Sequence, residues 1–244
     1  MSFSSDAPGF AVYVHVPFCE QKCTYCDFFT VTDPDHPLAG RWMELAAREL
    51  ELWELAGDIP PGGPVRTVFL GGGTPSLLPP ASIANFLRFL RARFGLAPEA
   101  EVTLETQPGT ADTARIHEYA EAGITRFSVG VQTFDPDLLA RTGRRHTVEM
   151  TRQVLRDAAA TGRALSLDLI AALPGQTLEA WRHELDEALS FHPAHISVYE
   201  LTFHPGTRWY RDLRAGRLTE ADEELRIAMF EETDSVLTAA GFEH

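Results

Sequence analysis

The stretch Ala11-Val-Tyr-Val-His-Val16-Pro-Phe-Cys19-Glu-Gln-Lys-Cys23-Thr-Tyr-Cys26 decides how the rest of this 244-residue chain is read. Its first six residues form a β-branched, apolar run that reads as a strand, and a loop with the chain's only three cysteines follows at once. The cysteine spacing is C-x3-C-x2-C. Thiolates are soft ligands suited to iron–sulfur centres, and an iron–sulfur cube normally takes four of them. Three at close spacing can hold three irons and leave the fourth open, and an open metal position is where a ligand can bind. Two other readings stay open on the cysteines alone. They could be three small buried hydrophobes, or they could hold a structural zinc with His15, four residues upstream of Cys19, as the fourth ligand.

Outward from this stretch, short apolar runs alternate with helical patterns. Strands are expected at Ala11–Val16, Arg66–Leu70, Glu101–Glu105, Arg126–Val131, Leu165–Ile170 and His195–Leu201. Helices are expected at about Leu38–Ala56 and Ala81–Phe94, after a cap at Asp112, from a cap at Thr177 to about Ser190, and over roughly Glu220–Ala240, closed by Gly241. Pro-Pro-Gly-Gly-Pro at 60–64 reads as a surface turn. Six β-α units spaced 30–40 residues apart predict an α/β fold with parallel strands and right-handed crossovers, either an open doubly wound layer or a partial (β/α)6 barrel of the TIM type. The whole of 1–244 reads as one such core. Because the chain stops just after a helix stop signal, it is expected to be the amino-terminal part of a longer protein.

Composition narrows the partners. Apolar residues make up 44% and charged residues 23%, ordinary for a globular chain, and the net charge is −14. This balance argues against a nucleic-acid groove and against docking on an anionic membrane. No apolar stretch is long enough to span a bilayer, and the N-terminus lacks the features of a signal peptide. An odd, tight set of cysteines argues against a disulfide framework, and free thiolates point to a reducing, cytoplasmic setting. The single lysine, Lys22, lies inside the cysteine loop, against twenty arginines elsewhere.

The polar residues able to carry chemistry recur just past the strands. The cysteines follow the first strand, Gly71-Gly72-Gly73-Thr74-Pro75-Ser76 follows the second, Glu105 ends the third, Gln132 the fourth, Asp168 lies near the end of the fifth, and Tyr199-Glu200 ends the sixth. Six elements presenting polar groups at one rim make a site signature. Singly, each has a plainer reading. A triple glycine is often only a tight turn, and no Gly-Lys-[Ser/Thr] makes it a phosphate loop. Glu105 and Gln132 could serve their own loops, Arg144 could be a surface arginine rather than a fork for a carboxylate, and Tyr13 could be core. Asp168, in an apolar run, needs a partner or a ligand.

Taken together, Tyr13-Val-His-Val-Pro-Phe-Cys19-x3-Cys23-x-Tyr25-Cys26-Asp-Phe28, Gly71–Ser76, Arg126-Phe-Ser-Val-Gly-Val-Gln132, Gly143-Arg-Arg-His146, Asp168-Leu-Ile-Ala-Ala-Leu-Pro-Gly-Gln-Thr177 and His195-Ile-Ser-Val-Tyr-Glu-Leu resemble the radical SAM superfamily. More narrowly they resemble its HemN/HemW branch, in the branch's order and over nearly the whole chain. The resemblance implies a [4Fe-4S] cluster on Cys19, Cys23 and Cys26, with S-adenosylmethionine (SAM) on the open iron and cleaved by an electron from the cluster. It places SAM binding on Tyr13, Tyr25, Gly72, Gly73, Thr74, Glu105, Gln132, Arg144 and Asp168. Implied partners are heme or a porphyrin, a heme-accepting protein and an electron donor.

The branch holds two activities, a heme chaperone and an oxygen-independent coproporphyrinogen III oxidase that decarboxylates propionate side chains. The oxidase subgroup has a fourth cysteine two residues after the third, where this chain has Phe28, and a long amino-terminal extension, where this chain has twelve residues before Tyr13. Both departures favour the chaperone. In that family heme binding is expected through a His-Asn-x-x-Tyr-Trp type motif nearer the carboxyl terminus, which does not occur here, so heme binding is expected of the longer protein. His36, His117, His183, His192 and His204 read as surface or loop histidines.

Overall fold

The computed structural model describes residues 9–33, 37–59 and 63–244. Six strands, β1 (Phe10–Val16), β2 (Val65–Gly72), β3 (Leu96–Thr106), β4 (Arg126–Gln132), β5 (Ala164–Ala171) and β6 (His195–Glu200), form one unclosed parallel sheet in sequential order. The helices are α1 (Trp42–Ala56), α2 (Pro80–Arg93), α3 (Thr113–Ala122), α4 (Pro136–Arg141), α5 (Val148–Ala160), α6 (Leu178–Ser190), α7 (Arg208–Arg214) and α8 (Glu223–Ala239). The expected partial (β/α)6 architecture is what the sheet order gives. None of the described helices is long and apolar enough to cross a membrane.

The described residues fall into two compact units: residues 9–20, 29–106 and 110–127, and residues 21–28, 107–109 and 128–244. In the first, β1 and β3 flank β2, with registers Val14↔Leu70 and Leu70↔Leu104. Leu70, Val102 and Leu104 are buried, as a parallel strand covered on both faces requires. Each such side chain contributes about 1.5–3 kcal/mol on leaving water. In the second unit β5 pairs with β6, Asp168 opposite Ser197, and α6 packs on α8 through Trp181, whose indole N–H donates to Thr233 Oγ1 at 2.9 Å.

Local sequence sets the helix ends. Asp112, Thr177 and Asp222 accept from the backbone amides of Arg115, Ala180 and Leu225, satisfying donors that the first helical turn leaves open. Gly241, at φ +90°, follows the last helix as expected. Three differences have physical causes. The first helix begins at Trp42 because a tight 3-10 turn, Ala39–Arg41, precedes it. β3 starts five residues earlier than expected, where Pro98 masks a strand, and the β2–β3 register shifts between Val65 and Thr67. The last helix starts at Glu223, once Asp222 can cap it. Residues 60–62 of the expected surface turn, and His36, lie outside the described residues.

Candidate metal and cofactor centre

In the first unit, three strands end level with one another. The β1–β2 register sets Val16 beside Gly72, and the β2–β3 register sets Leu70 beside Leu104, one residue before Glu105. The glycines are needed for close approach. Gly72 has φ +114°, and its amide donates to Glu105 Oε2 at 3.0 Å. The Gly73 amide donates to the Val16 carbonyl at 2.7 Å, and a Cβ on Gly73 would stand 2.8–2.9 Å from the carbonyl oxygens of Phe18 and Pro17. Thr74, buried, donates its hydroxyl to Cys19 Sγ at 3.4 Å. Tyr13 is 58% exposed rather than core, stacks on Phe69 and shares a 3.0 Å hydrogen bond with His15 Nδ1. Partial burial, and then the Glu105 carboxylate, raise its hydroxyl pKa. The 3-10 turn Pro75–Leu77 after the glycines is clamped by buried Tyr119, whose hydroxyl donates to carbonyls of this segment, and by Arg115, which donates to the carbonyls of Leu77 and Leu78 at 3.0 Å.

In the second unit, Cys23 and Cys26 are half-buried on a turn closed by the Cys26 amide and the Cys23 carbonyl. Between them, Tyr25 packs on Trp209 and takes two donations to its hydroxyl from the Arg144 guanidinium, at 3.2 and 3.3 Å. Burial pushes the Tyr25 hydroxyl up to about 12. Burial alone would lower the Arg144 pKa, but Tyr25 and the sulfurs of Cys23 and Cys26 outweigh it and hold the guanidinium charged. Asp168, half-buried, finds the partner its setting demands in Ser128, whose hydroxyl donates to it at 3.2 Å. Gln132 ends β4 buried and at φ +68°, a backbone state that costs a non-glycine residue about 1–2 kcal/mol. His117, His183 and His192 are exposed and His204 pairs with Asp27 at 3.3 Å, as surface or loop histidines do.

Sequence reasoning missed the supports of these residues. Glu184 on α6 is buried and accepts from the Thr133 hydroxyl and, at 2.7 Å, from the Phe134 amide, so it grips the two residues that follow Gln132. Its position among polar helix residues gave no signal. His146 lay within a quoted motif. It is buried with no hydrogen-bond partner for either ring nitrogen among the described residues, and burial, then Arg144, push its pKa down to about 3.

Burial pushes the Glu184 carboxyl up to about 7, above its ordinary value of 4.5. A raised acid stabilises the fold fully below about pH 4.5, and that contribution is lost as pH climbs through about 7. Glu184→Gln should remove this dependence. In urea titrations the stability difference between wild type and variant should move by about 3 kcal/mol from pH 4 to pH 8. A constant difference would show that Glu184 keeps an ordinary pKa.

The donor set fits an iron–sulfur group chemically. None of the three cysteines is in a disulfide; the Thr74 hydroxyl points at Cys19, and the charged Arg144 lies by the other two. Among the described residues, no three His, Cys, Asp or Glu side chains stand gathered as a ready metal cage. Metal sites often assemble their ligands only on binding.

This chain belongs to the radical SAM superfamily, whose family profile matches residues 13–188. Membership implies a [4Fe-4S] cluster and SAM as its cofactors. It is 39% identical to the heme chaperone HemW of Synechocystis over 240 residues, 96% of this chain and 57% of that protein. It is 37% identical to the heme chaperone HemW of Escherichia coli, over 97% of this chain and 61% of that protein. Among solved structures, coproporphyrinogen III oxidase (HemN) of Escherichia coli superimposes with a TM-score of 0.80 at 26% identity, over 96% of this chain and 54% of that one. The chain thus spans about three fifths of the length of the curated relatives it matches.

Proposed function

We propose that this chain is the cluster- and SAM-binding core of a heme chaperone, a protein that takes up heme and hands it to a heme-accepting protein in a reducing cytoplasm. The observation that carries the reading is the identity of 37–39% to two heme chaperones across almost the whole chain, against 26% to the oxidase. Phe28 supports it, standing where the oxidase subgroup has its further cysteine. In this reading Cys19, Cys23 and Cys26 hold the cluster, which when bound supplies an open iron and one-electron chemistry. Backbone carbonyls of the glycine run and the Glu105 carboxylate accept from the amino group of SAM's methionine, and Arg144 pairs with its carboxylate. Tyr13, Tyr25, Gln132 and Asp168 complete the contacts.

The test begins with anaerobic reconstitution of the chain and of the protein that carries it. The reconstituted protein is incubated with heme and an acceptor apoprotein, and separately with coproporphyrinogen and SAM. The expected result is SAM binding by both, heme uptake and transfer by the carrying protein, and no decarboxylation. Decarboxylated porphyrinogen formed in step with SAM consumption would replace this reading with that of the oxidase.

A further inference from the structure

Arginine is unevenly spread in this acidic chain. Seven of its twenty arginines fall within two short segments, 141–145 and 208–217, where Asp212 is the only acid. The segments form one surface of the second unit. Arg141, Arg208 and Arg217 line a single cavity of about 370 Å³ together with Thr24, Trp209 and Asp212. Asp212 is already engaged, by Arg217 at 2.5 Å and Arg208 at 3.7 Å. Arg145, Arg211 and Arg214 are exposed and have no ion-pair partner among the described residues. This leaves a local excess of positive charge in a chain whose total is −14, so the remainder is more acidic than the total.

The same surface is bonded to the cysteine loop. The Thr24 amide donates to the Thr142 carbonyl at 2.9 Å, the Trp209 amide donates to the Thr24 carbonyl at 2.9 Å, and the Gln21 side-chain amide donates to the Gly143 carbonyl. Thr24 lies between Cys23 and Tyr25. The arginines are therefore fixed to the segment that carries two of the three proposed cluster ligands.

We propose that this arginine surface docks a small acidic electron-carrier protein beside the Cys23–Cys26 loop. The inference rests on the cluster reading above, because that reading needs a reductant from outside. One electron leaves the carrier, which is oxidised, and enters the iron–sulfur group, which is reduced; no atom changes hands. A compact acidic protein suits the patch better than an extended polyanion. Glu220, Asp222, Glu223 and Glu224 follow it directly and would repel a chain of phosphates running past it.

The two charge scales make the test sharp. The patch attracts an acidic carrier, whereas the whole chain repels it. Between about 50 and about 300 mM salt, the Debye length falls from roughly 14 to roughly 6 Å. The reconstituted chain is titrated with an acidic flavodoxin across that range. Wild-type affinity should fall about tenfold or more with salt. Arg211→Glu/Arg214→Glu should weaken binding by about tenfold at low salt and reverse the salt dependence, because screening then relieves net repulsion. Reduction of the iron–sulfur absorbance by the flavodoxin should slow by a similar factor, while reduction by dithionite stays unchanged. Arg91→Glu, at an exposed position of α2, makes the same charge change as Arg211→Glu away from the patch and should have little effect. Equal losses from Arg91→Glu and Arg211→Glu would overturn the proposal, as would salt-insensitive binding or tighter binding to a single-stranded RNA or phosphatidylserine vesicles. Absence of iron after reconstitution would instead strike the cluster reading, and it is scored separately from the affinities.

Discussion

Cys23→Ala is expected to take bound iron, after anaerobic reconstitution, from about four per chain to near none. The structure makes this variant clean. Cys23 is half-buried on a turn, and its contribution to that turn is a main-chain carbonyl, which alanine retains. The cost to folding should therefore stay below about 1 kcal/mol, the range of changes away from the core. Far-ultraviolet dichroism and the unfolding midpoint should match wild type while the charge-transfer absorbance vanishes. Four irons retained would break the ligand assignment. Zinc in wild-type material prepared without oxygen would revive the zinc reading of the same cysteines.

Gly73→Ala should lower stability by about 2–3 kcal/mol, from overpacking against atoms that cannot yield. The new Cβ would meet the carbonyl oxygens of Phe18 at 2.8 Å and Pro17 at 2.9 Å, both main chain, on the segment leading into Cys19. Either the hydrogen bond from the Gly73 amide to Val16 lengthens, or the entry to the cysteine loop is pushed aside. The melting temperature should fall by about 4–12 °C for a chain of this size, and SAM binding should weaken with it. Gly40→Ala is the control: nothing lies within 4 Å of its added Cβ, so stability should hold or rise slightly. If the two variants melt together, the close approach at Gly73 does not matter.

The parallel core was legible because its strands are the apolar runs themselves. Val12, Val14 and Val16 or Leu165, Leu167 and Leu169 are buried where the pattern placed them. Helix starts were legible at Asp112 and Thr177, where a side-chain acceptor announces the first turn. Three helices, α4, α5 and α7, passed unseen, and the last two did so for different reasons. α5 buries Val148, Thr151, Val154, Leu155 and Ala158 behind a Thr147 cap, so its signal was present at helical spacing. α7 spans only two turns, three of its seven residues are arginine, and Trp209 alone anchors it in the core.

The site followed the same rule. Of the residues read from strand ends, Glu105 and Gln132 lie there, whereas Asp168 sits inside β5, three residues before its end, because the strand runs on to Ala171. What no local pattern shows is which distant side chain holds each of them. Ser128 against Asp168, Glu184 against the turn after Gln132, and Tyr119 with Arg115 against the turn after Thr74 are all pairings across elements. Such pairings are fixed by the sheet register and helix packing, and neither is written in a single segment.

Gln132 bears on how this protein would change under selection for heat tolerance alone. Glycine there would relieve the left-handed backbone and be favoured in any screen that scores survival at high temperature. The same exchange would erase an amide side chain at the mouth of β4. Variants enriched by heating would then drift toward sturdier chains without that amide, and lineages that still need it must keep the strain.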